Sequence, residues 1–144
     1  MLEVKEMSRG EMTALLLRGK FGHLGCSRDG HPYVVPMNYA YDSESLYFFT
    51  TEGTKTEYIG ANHEVCFQVE EIVDASRWAS VMAFGQAERV TEPEDTERAM
   101  QLIAGRNPTL TPALNETKVG AWKRPANIAV YRVRPEALYG RTTI

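Results

Sequence analysis

The spacing of apolar residues changes period along the chain, and each change marks a new element. Met12, Leu15 and Leu16 share one helical face, and Ser8 and Glu11 stand ahead of them at capping-box spacing. With Gly19 as a stop, this predicts a short helix lying against a sheet. Beyond Gly22 the texture becomes that of strands. His23 to Ser27 forms a first strand and runs into Asp29-Gly30, a strong hairpin signal. Pro32 to Tyr41 follows, rich in β-branched and aromatic residues, and Pro36 means that this strand either bulges or lies at an edge. A polar turn over Asp42 to Ser45 leads into Leu46 to Thr51, and the three strands read as an antiparallel meander.

The capping spacing recurs at Thr54 and Glu57, predicting a helix from Lys55 to Ala61 with Asn62 as a left-handed stop. Val65 to Val69 and Ser80 to Val90 are the fourth and fifth strands. Thr91 to Glu94 repeats the pattern, with Pro93 in a first turn where its missing N–H costs nothing. A helix through Ala99, Met100, Leu102 and Ile103 then ends at Gly105. Residues 106–124 carry no assignable pattern. Asn127 to Val133 alternates and reads as the closing strand. Six strands with helices between some of them predict a mainly β fold, a small antiparallel barrel with peripheral helices, in a single domain over residues 1–144. An open α+β sandwich is the alternative on pattern alone.

Composition narrows the function classes. Hydrophobic residues at 43% and charged residues at 24% exclude wholesale disorder. The net charge of −3 and the lack of a basic stripe argue against nucleic acid as a main partner. No window approaches the roughly 18 apolar residues of a membrane span. Cys26 and Cys66 have no paired spacing and read as core thiols of a reducing compartment. The expectation is a soluble cytoplasmic protein.

Hydrolase, zinc-protease, P-loop and dinucleotide motifs are absent from the sequence. His31 and His63 read as solvated, and His23 is the histidine expected to point into the barrel. No side chain is singled out as acid, base or metal ligand, so any catalysis falls to a bound cofactor.

The ordered series from Ser8 to Val90 resembles the flavin-binding split-barrel family, the pyridoxamine-phosphate-oxidase-like proteins. It lies nearest the branch that includes the nitroimidazole-resistance proteins. The series runs from the capped helix and "GHL" at Gly22 to Leu24, through "PYVVP" at Pro32 to Pro36 and "LYF" at Leu46 to Phe48. It continues with "GTK" at Gly53 to Lys55, "VCF" at Val65 to Phe67, and Trp78, Ser80 and Val81. The resemblance implies a six-stranded split barrel acting as a homodimer, with two FMN molecules between the subunits.

The resemblance also implies roles. Thr50, Thr51, Lys55 and Thr56 would hold a phosphate, and a helix N-terminus with its free N–H groups suits an anion. Lys55 is otherwise on the wrong end of the helix dipole. Val35, Pro36, Met37 and Asn38 match the strand beside the flavin ring, where a bulge at Pro36 would free backbone groups. Phe49 would cover the ring. It stands where the nitroimidazole-resistance branch commonly has histidine, so that activity is not carried over. The Arg-rich substrate motifs of pyridoxamine-phosphate oxidase are missing near the C-terminus. Trp78, Ser80 and Val81 match the segment that reaches the flavin of the other subunit. The expected activity is transfer of hydride or electrons from a nicotinamide donor, NAD(P)H, to a small-molecule substrate. A protein that holds flavin (FMN or FAD), deazaflavin or haem without turnover is the competing expectation. Trp122 either caps the pocket or packs on the barrel.

Overall fold

The computed structural model describes residues 2–106 and 128–144. The first helix, α1 (Arg9–Arg18), follows a two-residue strand β1 (Lys5–Glu6) and starts as its sequence requires. The Ser8 side chain accepts from the Glu11 N–H at 3.1 Å, and the Glu11 carboxylate accepts from the Ser8 N–H at 2.9 Å. Met12, Leu15 and Leu16 are buried. Gly19 caps the helix in an extended conformation, with φ −71°. Glycine is needed there for room, because an added Cβ would collide with the Tyr39 hydroxyl and Val69.

The strands are β2 (Phe21–Arg28), β3 (His31–Asn38), β4 (Ala40–Tyr41), β5 (Leu46–Thr51), β6 (Glu64–Asp74), β7 (Arg77–Val90) and β8 (Ile128–Thr142). Helix α2 (Thr54–Ala61) lies between β5 and β6, and α3 (Pro93–Arg106) follows β7. All strand pairs are antiparallel, and the order is β3-β2-β6-β7-β8-β5-β4, with β1 added on β8. Asp29 and Gly30 both take positive φ, 51° and 78°, as a tight hairpin turn between β2 and β3 demands.

The path begins with β3 and ends with β4, yet only Tyr39 separates these two strands in the chain. The sheet therefore has to curl until its two ends meet, which produces a split barrel. Its six longer strands, β2, β3, β5, β6, β7 and β8, match the expected number. Inside it Tyr39, Phe67, Phe48 and Tyr131 form an aromatic column, with ring centroids 5.2, 6.1 and 5.4 Å apart along it. A second apolar cluster seats Ala99, Met100 and Ile103 of α3 on Ala40, Tyr47 and Val130, outside the barrel.

Several expectations are corrected. The first three expected strands form a meander only in part: the end of the second, Ala40–Tyr41, pairs with β5, but Tyr39 separates it from β3, which has no strand on its far side among the described residues. Pro36 causes no bulge: the β2–β3 register runs unbroken from Phe21↔Asn38 to Arg28↔His31, and β3 is an edge strand. Asn62 closes α2 in extended geometry, φ −148°, and is not left-handed. The closing strand continues past Val133 to Thr142, with a register shift beside Pro135 that lets a proline sit within it. His23 faces away from the barrel interior, since Gly22, Leu24 and Cys26 occupy the inward positions of β2. Cys26 is a core thiol, but Cys66 lies half-buried on the outer face, opposite Gly25 and Phe84. Trp122, with most of the unassigned segment, falls outside the described residues.

Candidate functional site

The sequence-selected residues fall into two groups. The first surrounds the start of α2. Phe48 and Thr50 of β5 turn toward the barrel, and Phe49 packs against the outer cluster beneath α3. Thr50 is 6% exposed and donates to the Thr51 carbonyl at 3.2 Å. Gly53 is the N-cap of α2 and has no side chain with which to satisfy the first-turn N–H groups. Thr56 ties the cap from the other direction. Its Oγ1 accepts from the Gly53 N–H at 2.9 Å and lies 2.8 Å from the Gly53 carbonyl, to which it can donate. The space over Gly53 is open, for a Cβ there would meet nothing within 4 Å.

Lys55 is half-buried in the first turn, and among the described residues it makes no ion pair. Its charge acts on the Cys26 thiol: burial pushes that thiol up, and Lys55 opposes the shift. Glu52, the nearest acidic neighbour before the helix, is engaged by Arg89 instead. Among the described residues, an ammonium without an ion pair, first-turn N–H groups without a side-chain cap and an open glycine thus stand together. They form a fitting seat for a phosphate dianion.

Helix α2 leans on the edge of the barrel. Tyr58 meets Tyr33 at 5.3 Å and carries the Arg28 guanidinium 5.8 Å above its ring. Asn62 donates to Ser27 at 3.2 Å. These contacts seat the second half of α2 on the β2–β3 hairpin; along β3, Val35 and Met37 point to the core and Pro36 and Asn38 point outward. Proline has no N–H, so the His23↔Pro36 pair cannot be a hydrogen-bonded pair. Hence Val34 and Pro36 turn their backbone groups to the outer edge of β3, which has no strand partner among the described residues. The edge itself supplies the open backbone that a bulge was expected to supply.

The second group lies three strands away, on β7. Trp78 is half-buried, and its backbone is tied to the C-terminal end: its N–H donates to the Thr143 Oγ1 at 2.9 Å, and its carbonyl accepts from Thr142 Oγ1 at 3.0 Å. Ser80 faces the outer surface and accepts from Gln68 Nε2 at 2.9 Å. Val81 is wholly buried in the barrel core, in a strand paired on both sides with β6 and β8, so the structure does not open it to a ligand.

Between the groups runs an outer face that the sequence did not single out. The register aligns Pro36, His23, Gln68, Met82 and Tyr139 in one row, and Val34, Gly25, Cys66, Phe84 and Ala137 in the next. Val34 at 67% and Tyr139 at 63% are strongly exposed for apolar side chains, and Phe84 packs edge-on to Tyr139 at 5.7 Å. Strand parity was the available signal. With Leu24 and Phe67 inward, His23 and Gln68 must face outward together.

Comparison with known proteins agrees with this architecture. The family model described as pyridoxamine 5'-phosphate oxidase matches residues 8–142, and the chain belongs to that family. An FAD-binding protein from Mesorhizobium loti is 30% identical, with a TM-score of 0.79 over 98% of this chain and 99% of its own. A candidate 5-nitroimidazole antibiotic resistance protein from Bacteroides thetaiotaomicron shares the fold at 19% identity, with a TM-score of 0.74 over 99% of this chain and 89% of that one. An uncharacterized protein of Rhizobium meliloti is 35% identical over 83 residues, which span 58% of this chain and 55% of that relative.

Proposed function

We propose that this member of the pyridoxamine 5'-phosphate oxidase family binds a flavin nucleotide, FMN in our reading, and is an oxidoreductase. It would pass hydride or electrons from NAD(P)H to a small organic acceptor. The observation that carries the reading is the half-buried Lys55, without an ion pair among the described residues, in the first turn of a helix with an open glycine cap. The FAD-binding character of the Mesorhizobium loti relative supports a flavin.

Bound flavin would supply the hydride chemistry. The chain's own part is to hold and orient it. Lys55 and the first-turn N–H groups of α2 hold the phosphate, with Thr51 beside them. The outer edge of β3 offers the Val34 N–H and the Pro36 carbonyl to the polar rim of a planar ring. Trp78 and Ser80 stand three strands from β3 in the same chain, which supports their serving a flavin held by a second copy. The apolar outer face around Val34, Phe84 and Tyr139 is the surface we assign to that homodimer.

The test is an absorbance spectrum of the purified protein, mass identification of the released ligand, and anaerobic bleaching by NADH and NADPH. Flavin bands that bleach and recover with an added acceptor support the reading. Released FAD corrects the nucleotide. Flavin that no nicotinamide donor reduces means a carrier or sensor, and a Soret band means haem.

A further inference from the structure

Gln68 spends every polar atom of its side chain in one line of hydrogen bonds across the outer face. Its Nε2 donates to Glu70 Oε2 at 3.1 Å and to Ser80 Oγ at 2.9 Å. Its Oε1 lies 3.1 Å from His23 Nδ1. A carboxylate only accepts, so the amide atom facing Glu70 has to be nitrogen, and the oxygen is left for His23. An amide oxygen also only accepts. His23 Nδ1 therefore carries a proton, and the lone pair of the neutral ring sits on Nε2.

The same logic reaches Ser80. Its oxygen is occupied as an acceptor by Gln68, and among the described residues its own proton has no acceptor. The hydroxyl is thus set as a donor directed away from Gln68. His23, Gln68 and Ser80 are all half-buried, and fixing three polar side chains on an outer face costs conformational entropy. A surface row with no further partner would be expected to stay solvated and mobile.

We propose that Gln68 is a positioning residue, held by Glu70 and His23, that presents the Ser80 hydroxyl as a hydrogen-bond donor. Its target is an acceptor atom of the flavin bound mainly by the second subunit, a carbonyl oxygen or ring nitrogen. This rests on the function proposed above. A donor aimed at such an atom stabilises the charge that the ring gains on reduction, so it acts on potential as well as affinity.

The experiment compares wild type, Gln68→Glu, Gln68→Met, Ser80→Ala and the Gln68→Glu/Ser80→Ala double variant. Each is titrated with FMN and FAD by fluorescence quenching, and midpoint potentials are measured on the complexes. In Gln68→Glu the new carboxylate draws the Ser80 proton to itself. Gln68→Met removes the amide without adding charge. The expected result is a loss of affinity of about two- to tenfold in each single variant, the range of one hydrogen bond, with a lower potential. The double variant should be no worse than Ser80→Ala.

Wild-type affinity and potential in both Gln68 variants overturn the role. So do additive losses in the double variant, which would mean that the added charge acts directly on the flavin. Nitrogen NMR of the ligand-free protein should find the His23 proton on Nδ1, and a proton on Nε2 alone overturns the network. Wild-type protein that binds no flavin refutes the proposed function and this role with it. Wild-type binding with indifferent Gln68 variants refutes this role alone.

Discussion

The Tyr39 hydroxyl donates a 2.7 Å hydrogen bond to the carbonyl of Leu16, in the last turn of α1. Tyr39 is the one residue between strands at opposite ends of the sheet, and it has no exposed surface. Burial pushes its phenol far above the usual range, so it stays a donor throughout ordinary pH. Helix α1 is thereby pinned to the seam of the barrel.

Tyr39→Phe should keep the fold and lower stability by about 1–3 kcal/mol, the cost of leaving a buried polar group unpaired. Gly19→Ala should destabilise by about 1–3 kcal/mol through overpacking against the Tyr39 hydroxyl and Val69. The two losses should be less than additive, because Tyr39→Phe removes one of the colliding atoms. Urea denaturation of both single variants and the double measures this, and strict additivity would show that Gly19 is not held tight by Tyr39.

Lys55→Ala should weaken FMN binding by about ten- to a hundredfold, from about 1.5–3 kcal/mol for a charge-assisted contact. Riboflavin, which has no phosphate, should bind variant and wild type alike. Affinities for both ligands decide it: equal losses would assign Lys55 a structural part, and no loss would leave it in solvent.

Pro32 and Pro36 share one parity on an edge strand, so each withholds an N–H from the free edge of β3. Replacing both with alanine should cost little stability and restore two edge donors. The expected consequence is greater self-association, read as a rise in light scattering with concentration. If Pro36 also shapes the ring site, Pro36→Ala alone shifts flavin affinity or potential.

Trp78→Ala keeps the backbone bonds to Thr142 and Thr143, so the fold should persist. Homodimer and flavin should both weaken, and dilution of the wild type should release them together. Sedimentation monitored at the flavin absorbance tests this. A monomer carrying a full complement of flavin would refute the shared site.

Glu11 is held below the usual carboxylate range chiefly by the Ser8 N–H, and then by the Ser8 hydroxyl. The Arg18 guanidinium does the same for Glu71, and Arg132 for Glu88. Depressed carboxylates contribute stability that is present above the unfolded-state value and is lost as pH falls through the folded one. Stability should therefore decline as the pH falls from just above the ordinary glutamate value of 4.5. Glu11→Gln, which still accepts at the cap, should show a smaller decline between pH 7 and pH 3. Urea midpoints at the two pH values measure it.

Local chemistry was legible wherever one short segment decides the outcome. The Ser8/Glu11 box, the Asp29-Gly30 turn and Pro93 at the start of α3 need only neighbours in sequence, and each forms as expected. Periodicity found the six long strands, but it stopped at Val133 in the last. There the register shift by Pro135 changes parity, so that Val133 and Leu138 both face the core. A period of two broken in mid-strand looks like a loop.

The sequence by itself determined the element types, the mainly β class and the lysine at the start of α2, because hydrophobic period, turn residues and caps act over a few positions. Only the tertiary structure decided that Pro36 sits on a free edge without a bulge, that His23 faces outward, and that Gln68 links it to Ser80. Those outcomes depend on which strand lies beside which. Pairing between residues 45 and 12 positions apart, as in His23–Gln68 and Gln68–Ser80, is selected by the burial of the whole barrel. No local signal carries it.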